Sequence, residues 1–230
     1  MIPKIIHYCW FGKGEKPESV LNCIETWKTN LPDYQIKEWN ESNFDVTNLQ
    51  YTLEAYNAKK YAFVSDVCRL YCLIKEGGIY LDTDVQVLKS FDNFLLNESF
   101  IGLETKKQIG TAVIGAQKDI KWLIDFYNIY TTIHFTNKNS KFDITPNTTR
   151  ITRFLNEYPG ISPKIYPVDY FCAKDYKTKK LYITNNTICI HNFAESWVTV
   201  PRYAIIEKKF WNLLHLPNLN IINKIIWRFK

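Results

Sequence analysis

The sequence predicts an α/β fold with a mixed, mostly parallel sheet flanked by helices. Short apolar runs rich in β-branched and aromatic residues alternate with segments of helical period along the chain. No internal repeat, low-complexity tract or Pro/Gly linker divides the 230 residues, so residues 1–230 are read as one domain. Hydrophobic residues make up 46%, enough for a sizeable core, which excludes a disordered chain.

Taken in order, "KIIHYCWFG" is an opening strand closed by Gly12. "KPESVLNCIETWKTN" places Pro17 in a first turn and apolar residues at 20, 21, 24 and 27, the period of a helix. "YQIKEW" (34–39) is a second strand. Residues 51–76 form one long helical pattern, stopped at Gly77-Gly78 by a plausible C-cap. "IYLDTDVQVL" is a strand over 79–88, and "FIGLE" and "TAVIGA" are short strands. Helices are expected over about 119–132 and 147–158, and a late strand over "TICIHNF" (187–193).

Composition limits function without naming it. The net charge of +6 favours anionic partners, and nucleic acid, anionic lipid and phosphorylated substrates all fit it. The first residues lack a signal-peptide pattern, and no run approaches the ~20 apolar residues that span a bilayer. The six cysteines are scattered without C-x-x-C spacing, which reads as reduced thiols in a cytoplasmic protein. Residues 208–230 hold five basic residues and no acidic one, interleaved with Trp211, Leu213, Ile221, Ile225 and Trp227. That basic, amphipathic segment suits either an anionic membrane surface or a helix packed on the core.

Chemistry concentrates in "KEGGIYLDTDV" (75–85). Two carboxylates one residue apart repel each other, and partial burial adds a desolvation cost. On a strand, Asp82 and Asp84 would face one side, and strand carboxyl ends are where parallel sheets bind ligands. Two hard oxygen ligands suit Mg²⁺ or Mn²⁺; a solvated strand end is the plain alternative. On the preceding helix Asp66 and Arg69 stand three apart on one face, in apolar surroundings. They form either an internal salt bridge or a clamp for hydroxyls and phosphate oxygens.

"SDVCRLYCLIKEGGIYLDTDV" (65–85) resembles the core of the glycosyltransferase family with a sugar-binding region containing the DXD motif. "IPKIIHYCWFG" (2–12) is similar to that family's opening strand, and "IHNFAESW" (190–197) to its late H-x-x-x-S-W element. The resemblance implies a GT-A type, Rossmann-like fold and a retaining, metal-dependent transfer from a nucleotide-sugar donor, with uridine nucleotides preferred. It implies that Trp10 lies against the base and that Asp66 and Arg69 hold the donor sugar. Tyr80 and Asp82 would flank ribose and sugar, Asp82, Asp84 and His191 would hold Mn²⁺ or Mg²⁺, and Ser196 and Trp197 would grip the diphosphate. Asp66, Arg69 and Asp84 are the expected catalytic set.

By itself, His191 in an apolar strand fits a core histidine as well as a ligand, and His7 fits either a structural or an outer-shell role. Two positions depart from the family pattern: Glu195 stands where a small residue is expected, and "GTAVIGA" (110–116) lacks an often-present Asn. The expected partners are the donor and a glycan or lipid-linked acceptor, as in bacterial surface-polysaccharide synthesis, with no nucleic acid. The expected place is the cytoplasm, peripheral to the inner membrane face. Two other readings compete: a haloacid-dehalogenase-type phosphatase, with Asp82 as nucleophile and Asp84 as acid/base, and a non-catalytic sugar- or lipid-binding protein.

Overall fold

The computed structural model describes residues 1–161 and 163–194. Its main sheet joins β1 (Ile5–Cys9), β2 (Gln35–Trp39), β3 (Gly78–Leu81), β5 (Ser99–Leu103), β6 (Ile109–Ala116) and β7 (Lys164–Tyr166), in the order β2-β1-β3-β6-β5-β7. Every pairing is parallel except the two made by β6. Five strands therefore point one way, and the carboxyl ends of β1, β3 and β5 share one edge. The chain fills β2 on one side of β1 and β3 on the other, and the crevice where order reverses is where open α/β sheets bind ligands. β4 (Val85–Val87) and β8 (Cys189–His191) form a separate antiparallel pair.

Strand alternation builds two cores. Cys9, Tyr80, Ile101 and Ile114 face a layer made by α2 (Gln50–Asn57), α3 (Tyr61–Glu76), α4 (Lys121–Ile129) and α5 (Asn147–Glu157). Ile6, Tyr8, Ile79, Leu81, Phe100 and Val113 face the other side. There α1 (Glu18–Asn30) buries Val20, Ile24 and Trp27, and α6 (Val168–Phe171) buries Phe171. On α3 the buried residues Phe63, Val64, Val67, Leu70 and Leu73 follow the helical period. Each such side chain contributes about 1.5–3 kcal/mol.

Two expected elements are broken. The helix read over 51–76 is two helices, α2 and α3. Ala58 donates its N–H to Glu54, Lys59 turns left-handed at φ +57°, and Lys60 donates back to Ala55. That reversal uses no glycine or proline, so the periodic pattern runs across it unmarked. The strand read over 79–88 stops at Leu81. Val85 N–H donates to the Asp82 carbonyl across a turn, and the chain then leaves the main sheet for β4. β7 and α6 were not anticipated; each is four residues or shorter, too brief for a period to register. The segment 208–230, Glu195, Ser196 and Trp197 lie outside the described residues.

Gly77-Gly78 does end α3. Gly77 N–H donates to Leu73 O, and both glycines have positive φ, +67° and +109°. A Cβ on Gly78 would lie 2.7 Å from Ile5 O and 2.9 Å from His7 Nε2, so only glycine lets β3 start flush against β1.

Candidate active site

Asp82 follows the last residue of β3, its N–H held by Ala112 O across β6 at 2.9 Å. Its Oδ1 accepts from the Tyr80 hydroxyl at 2.9 Å and lies 3.3 Å from the Arg69 guanidinium. Asp84 sits at the far end of the turn. Its carbonyl accepts from Asn192 N–H, its Oδ2 accepts from Ala194 N–H at 2.8 Å, and its Oδ1 lies 3.4 Å from His191 Nε2. The β4–β8 pairing sets Val85 opposite His191, which is what carries the imidazole to the carboxylates. One ligand atom from each of Asp82, Asp84 and His191 lies within 4.8 Å of the others. The aspartates thus converge through a turn, not through the pleat of one strand.

This donor set fits a divalent cation. Two carboxylate oxygens and an imidazole nitrogen suit Mn²⁺ or Mg²⁺, with positions left for substrate oxygens. The other imidazole nitrogen, His191 Nδ1, is buried and has no hydrogen-bond partner among the described residues. Without an ion, the pair sustains itself electrostatically. Burial opposes both charges, yet Asp84 is held below the usual carboxylate range by His191, and His191 is raised to about 10 by Asp84.

Arg69 is the centre of the second group. Its side chain is 6% exposed and pairs with Asp66 at 2.8 Å, donates to Thr111 O at 2.7 Å, and lies 4.8 Å from the Tyr80 ring centroid. The planar fork matches several acceptors at once, which an ammonium cannot do. Burial pushes Asp66 up to about 6, Arg69 pulls it down, and the neighbouring Asp82 charge adds to the rise. Asp66, Arg69, Tyr80, Asp82, Asp84 and His191 are therefore brought together. The Asp66–Arg69 pair is an internal ion pair, and it abuts the carboxylate turn.

Trp10 stands just past the end of the neighbouring strand β1. It is part-buried, donates Nε1–H to Gly14 O at 2.7 Å, and has Lys16 Nζ 5.8 Å from its ring. His7 is elsewhere and fully buried; it bonds Gly77 O and Trp39 and belongs to the scaffold. A shallow surface hollow beside α5, lined by Thr149, Thr152, Arg153 and Glu157 among others, holds none of these groups.

Two features went unread in the sequence. Glu104, at the carboxyl end of β5, feels the charges of His191, Asp82 and Asp84, and burial raises its pKa. A single Glu after a strand gives no signal; only the shared direction of β3 and β5 brings it there. The second feature backs Asp66. Tyr130 hydroxyl donates to Asn147 Oδ1 at 2.9 Å, and Arg150 pairs with Asp143 while standing 5.9 Å from the rings of Tyr51 and Tyr130. Tyr51 Oη, Asn147 Nδ2 and Arg150 Nε are buried there without hydrogen-bond partners among the described residues.

Residues 17–101 match the family described as "Glycosyltransferase sugar-binding region containing DXD motif". The chain is 31% identical over 127 residues to "Inositol phosphoceramide mannosyltransferase 3" of Schizosaccharomyces pombe, covering 54% of this chain and 35% of that protein. It thus spans about a third of the length of that curated relative. Among solved structures, "PaToxG Glycosyltransferase" superposes with a TM-score of 0.56 at 21% identity, covering 69% of this chain and 71% of that one, a likeness of fold. Residues 17–101, with the acidic turn at 82–84 inside them, match a glycosyltransferase sugar-binding region containing the DXD motif, and the chain carries a GT-A type fold.

Proposed function

We propose that this protein is a metal-dependent, retaining glycosyltransferase that moves a sugar from a nucleotide-sugar donor to a glycan or lipid-linked acceptor. The observation that carries it is the convergence of Asp82, Asp84 and His191 within 4.8 Å, next to the buried Asp66–Arg69 pair. A divalent ion there would offset the negative charge that builds on a departing diphosphate. Asp66 offers acceptor oxygens to sugar hydroxyls, and Arg69 holds Asp66 and Asp82 in register. Tyr80 orients Asp82 through its hydroxyl, and Trp10 offers a ring to the base beyond the end of β1. Ser196 and Trp197 complete the reading as diphosphate contacts.

The named activity of the fungal relative favours a lipid-linked acceptor, and guanosine-linked donors stay open beside the preferred uridine-linked ones. A role in bacterial surface-polysaccharide synthesis, a cytoplasmic position peripheral to the membrane, and one domain over residues 1–230 ending in the basic segment 208–230 belong to the same reading. The family match over residues 17–101 favours the transferase reading over the phosphatase alternative.

The test is a panel of nucleotide-sugars with Mn²⁺, scored by nucleotide release. Turnover of a UDP- or GDP-sugar that stops with chelator is the expected result. Hydrolysis of simple phosphomonoesters with no nucleotide-sugar turnover overturns the proposal.

A further inference from the structure

Between α6 and β8 the chain makes a small hairpin that the site does not use. Lys174 bridges Leu181, Asp175 N–H donates to Lys180 O at 2.8 Å, and Tyr182 N–H donates to Ala173 O at 2.7 Å. Its root is fixed by Thr184 Oγ1 donating to Asp169 and by Lys89 Nζ donating to Asn185 O. Residues 175–186 are all exposed. Three consecutive apolar side chains project from it: Leu181, Tyr182 and Ile183 are 52%, 60% and 57% exposed. Single exposed apolar residues are ordinary, but a contiguous group on an ordered hairpin marks a docking surface.

Charge identifies the occupant. Lys174, Lys177, Lys179 and Lys180 lie on this hairpin beside one acid, Asp175. That carboxylate turns inward to accept from the N–H groups of Lys177 and Thr178 and from the Thr178 hydroxyl. Protein–protein interfaces are depleted in lysine, whereas lysines beside Leu, Ile and Tyr are the composition of a membrane-interface element. The placement is informative too. Tyr176 packs on Phe193 at 5.3 Å between ring centroids, and Phe193 lies 4.2 Å from His191.

We propose that the 174–183 hairpin is an anionic-lipid docking element, with Leu181, Tyr182 and Ile183 entering the headgroup–acyl boundary and Lys177 and Lys180 meeting lipid phosphates. Docking there brings the Asp82–Asp84–His191 group to the membrane surface. A lipid-linked acceptor as the reason for this rests on the proposed transferase activity; the docking itself does not.

The experiment is co-sedimentation of the full chain with phosphatidylserine-containing vesicles and with phosphatidylcholine vesicles. The triple variant Leu181→Ser, Tyr182→Ser, Ile183→Ser and the double variant Lys177→Glu, Lys180→Glu are compared with wild type, with unfolding midpoints as the folding control. The expected result is phosphatidylserine-dependent binding that falls about tenfold or more in each variant while the midpoint holds. A wild type that stays in the supernatant, or variants that bind unchanged, overturns the proposal. So does light scattering that shows a dimer lost in the triple variant with no vesicle binding, since the surface would then pair two copies of the chain.

Discussion

The Arg69 guanidinium stands 3.3 Å from Asp82 Oδ1, so one of the two carboxylates of the acidic turn already has a fixed, buried cation beside it. The same fork holds Asp66 at 2.8 Å and Thr111 O at 2.7 Å. This explains how two aspartates tolerate close approach before any ion arrives. Removing the cation leaves two poorly solvated carboxylates uncompensated, the costly half of breaking a buried pair. Arg69→Ala is expected to destabilise the protein by about 3–5 kcal/mol. Arg69→Lys keeps the charge but cannot reach three acceptors, so it should fall between wild type and Ala. Urea unfolding of the three proteins checks this, and an Arg69→Ala midpoint equal to wild type contradicts it.

An ion bound by Asp82, Asp84 and His191 must stabilise the folded chain by mass action. At a Mn²⁺ concentration 100 times its dissociation constant, the gain is about 2.7 kcal/mol. Thermal unfolding should therefore shift upward with Mn²⁺ and return with chelator. Asp84→Asn should lose that shift. Its ion-free stability should also fall, by about 3–5 kcal/mol, because the buried His191 loses the partner that keeps it charged and Ala194 N–H is left with a weaker acceptor. A wild-type unfolding temperature indifferent to Mn²⁺ would remove the ion from the site.

The sharp bend that launches β3 sets the position of Asp82 four residues on. Gly78 at φ +109° has no room for a side chain, and the nearest obstacle, Ile5 O, is backbone that cannot rotate away. Gly78→Ala is expected to cost about 1–3 kcal/mol from the backbone conformation, with steric strain added. Because β1 and β3 would be pushed apart, Mn²⁺ affinity should fall with it. Gly77→Ala should cost a similar amount, because φ +67° with ψ −169° is backbone that essentially only glycine adopts, and its Cβ would lie 2.8 Å from Lys118 N. Unfolding midpoints and Mn²⁺ titrations of both variants test the pairing of stability with affinity.

The acidic turn and the Asp66–Arg69 face were legible because both depend on short spacings that local geometry fixes: three along a helix, two across a turn. His191 was legible only through its resemblance to a family element. Its partner, Val85, is more than a hundred residues away, and nothing local announces that β4 leaves the main sheet. The same reason hid Glu104 and the Tyr51–Tyr130–Asn147–Arg150 group, whose members come from a strand end and three separate segments. The helix break at Ala58–Lys60 was hidden by chemistry, because a lysine took the left-handed position that a glycine usually marks. Periodicity reported which faces are buried, and it was silent on where the backbone reverses.

His7 gives the fold a pH dependence whose sign follows from its two partners. The ring is fully buried; its Nε2 bonds the Gly77 carbonyl at 2.7 Å, and Trp39 Nε1–H points at its Nδ1 at 3.0 Å. A carbonyl can only accept and an indole N–H can only donate, so the neutral ring with its proton on Nε2 satisfies both. Burial lowers its pKa below 6.5, against the Gly77 bond and the Glu76 charge, which raise it. The unfolded chain therefore binds this proton more readily than the folded one. The contribution is fully present above the unfolded value near 6.5 and is lost as pH falls through the lower folded value. The slope is at most about 1.4 kcal/mol per pH unit. His7→Gln removes the titration, so the stability gap between wild type and variant should narrow as pH drops from about 7.5 to about 5. Urea unfolding across that range measures the gap, and one that stays constant would mean that the ring is not held neutral by Trp39 and Gly77.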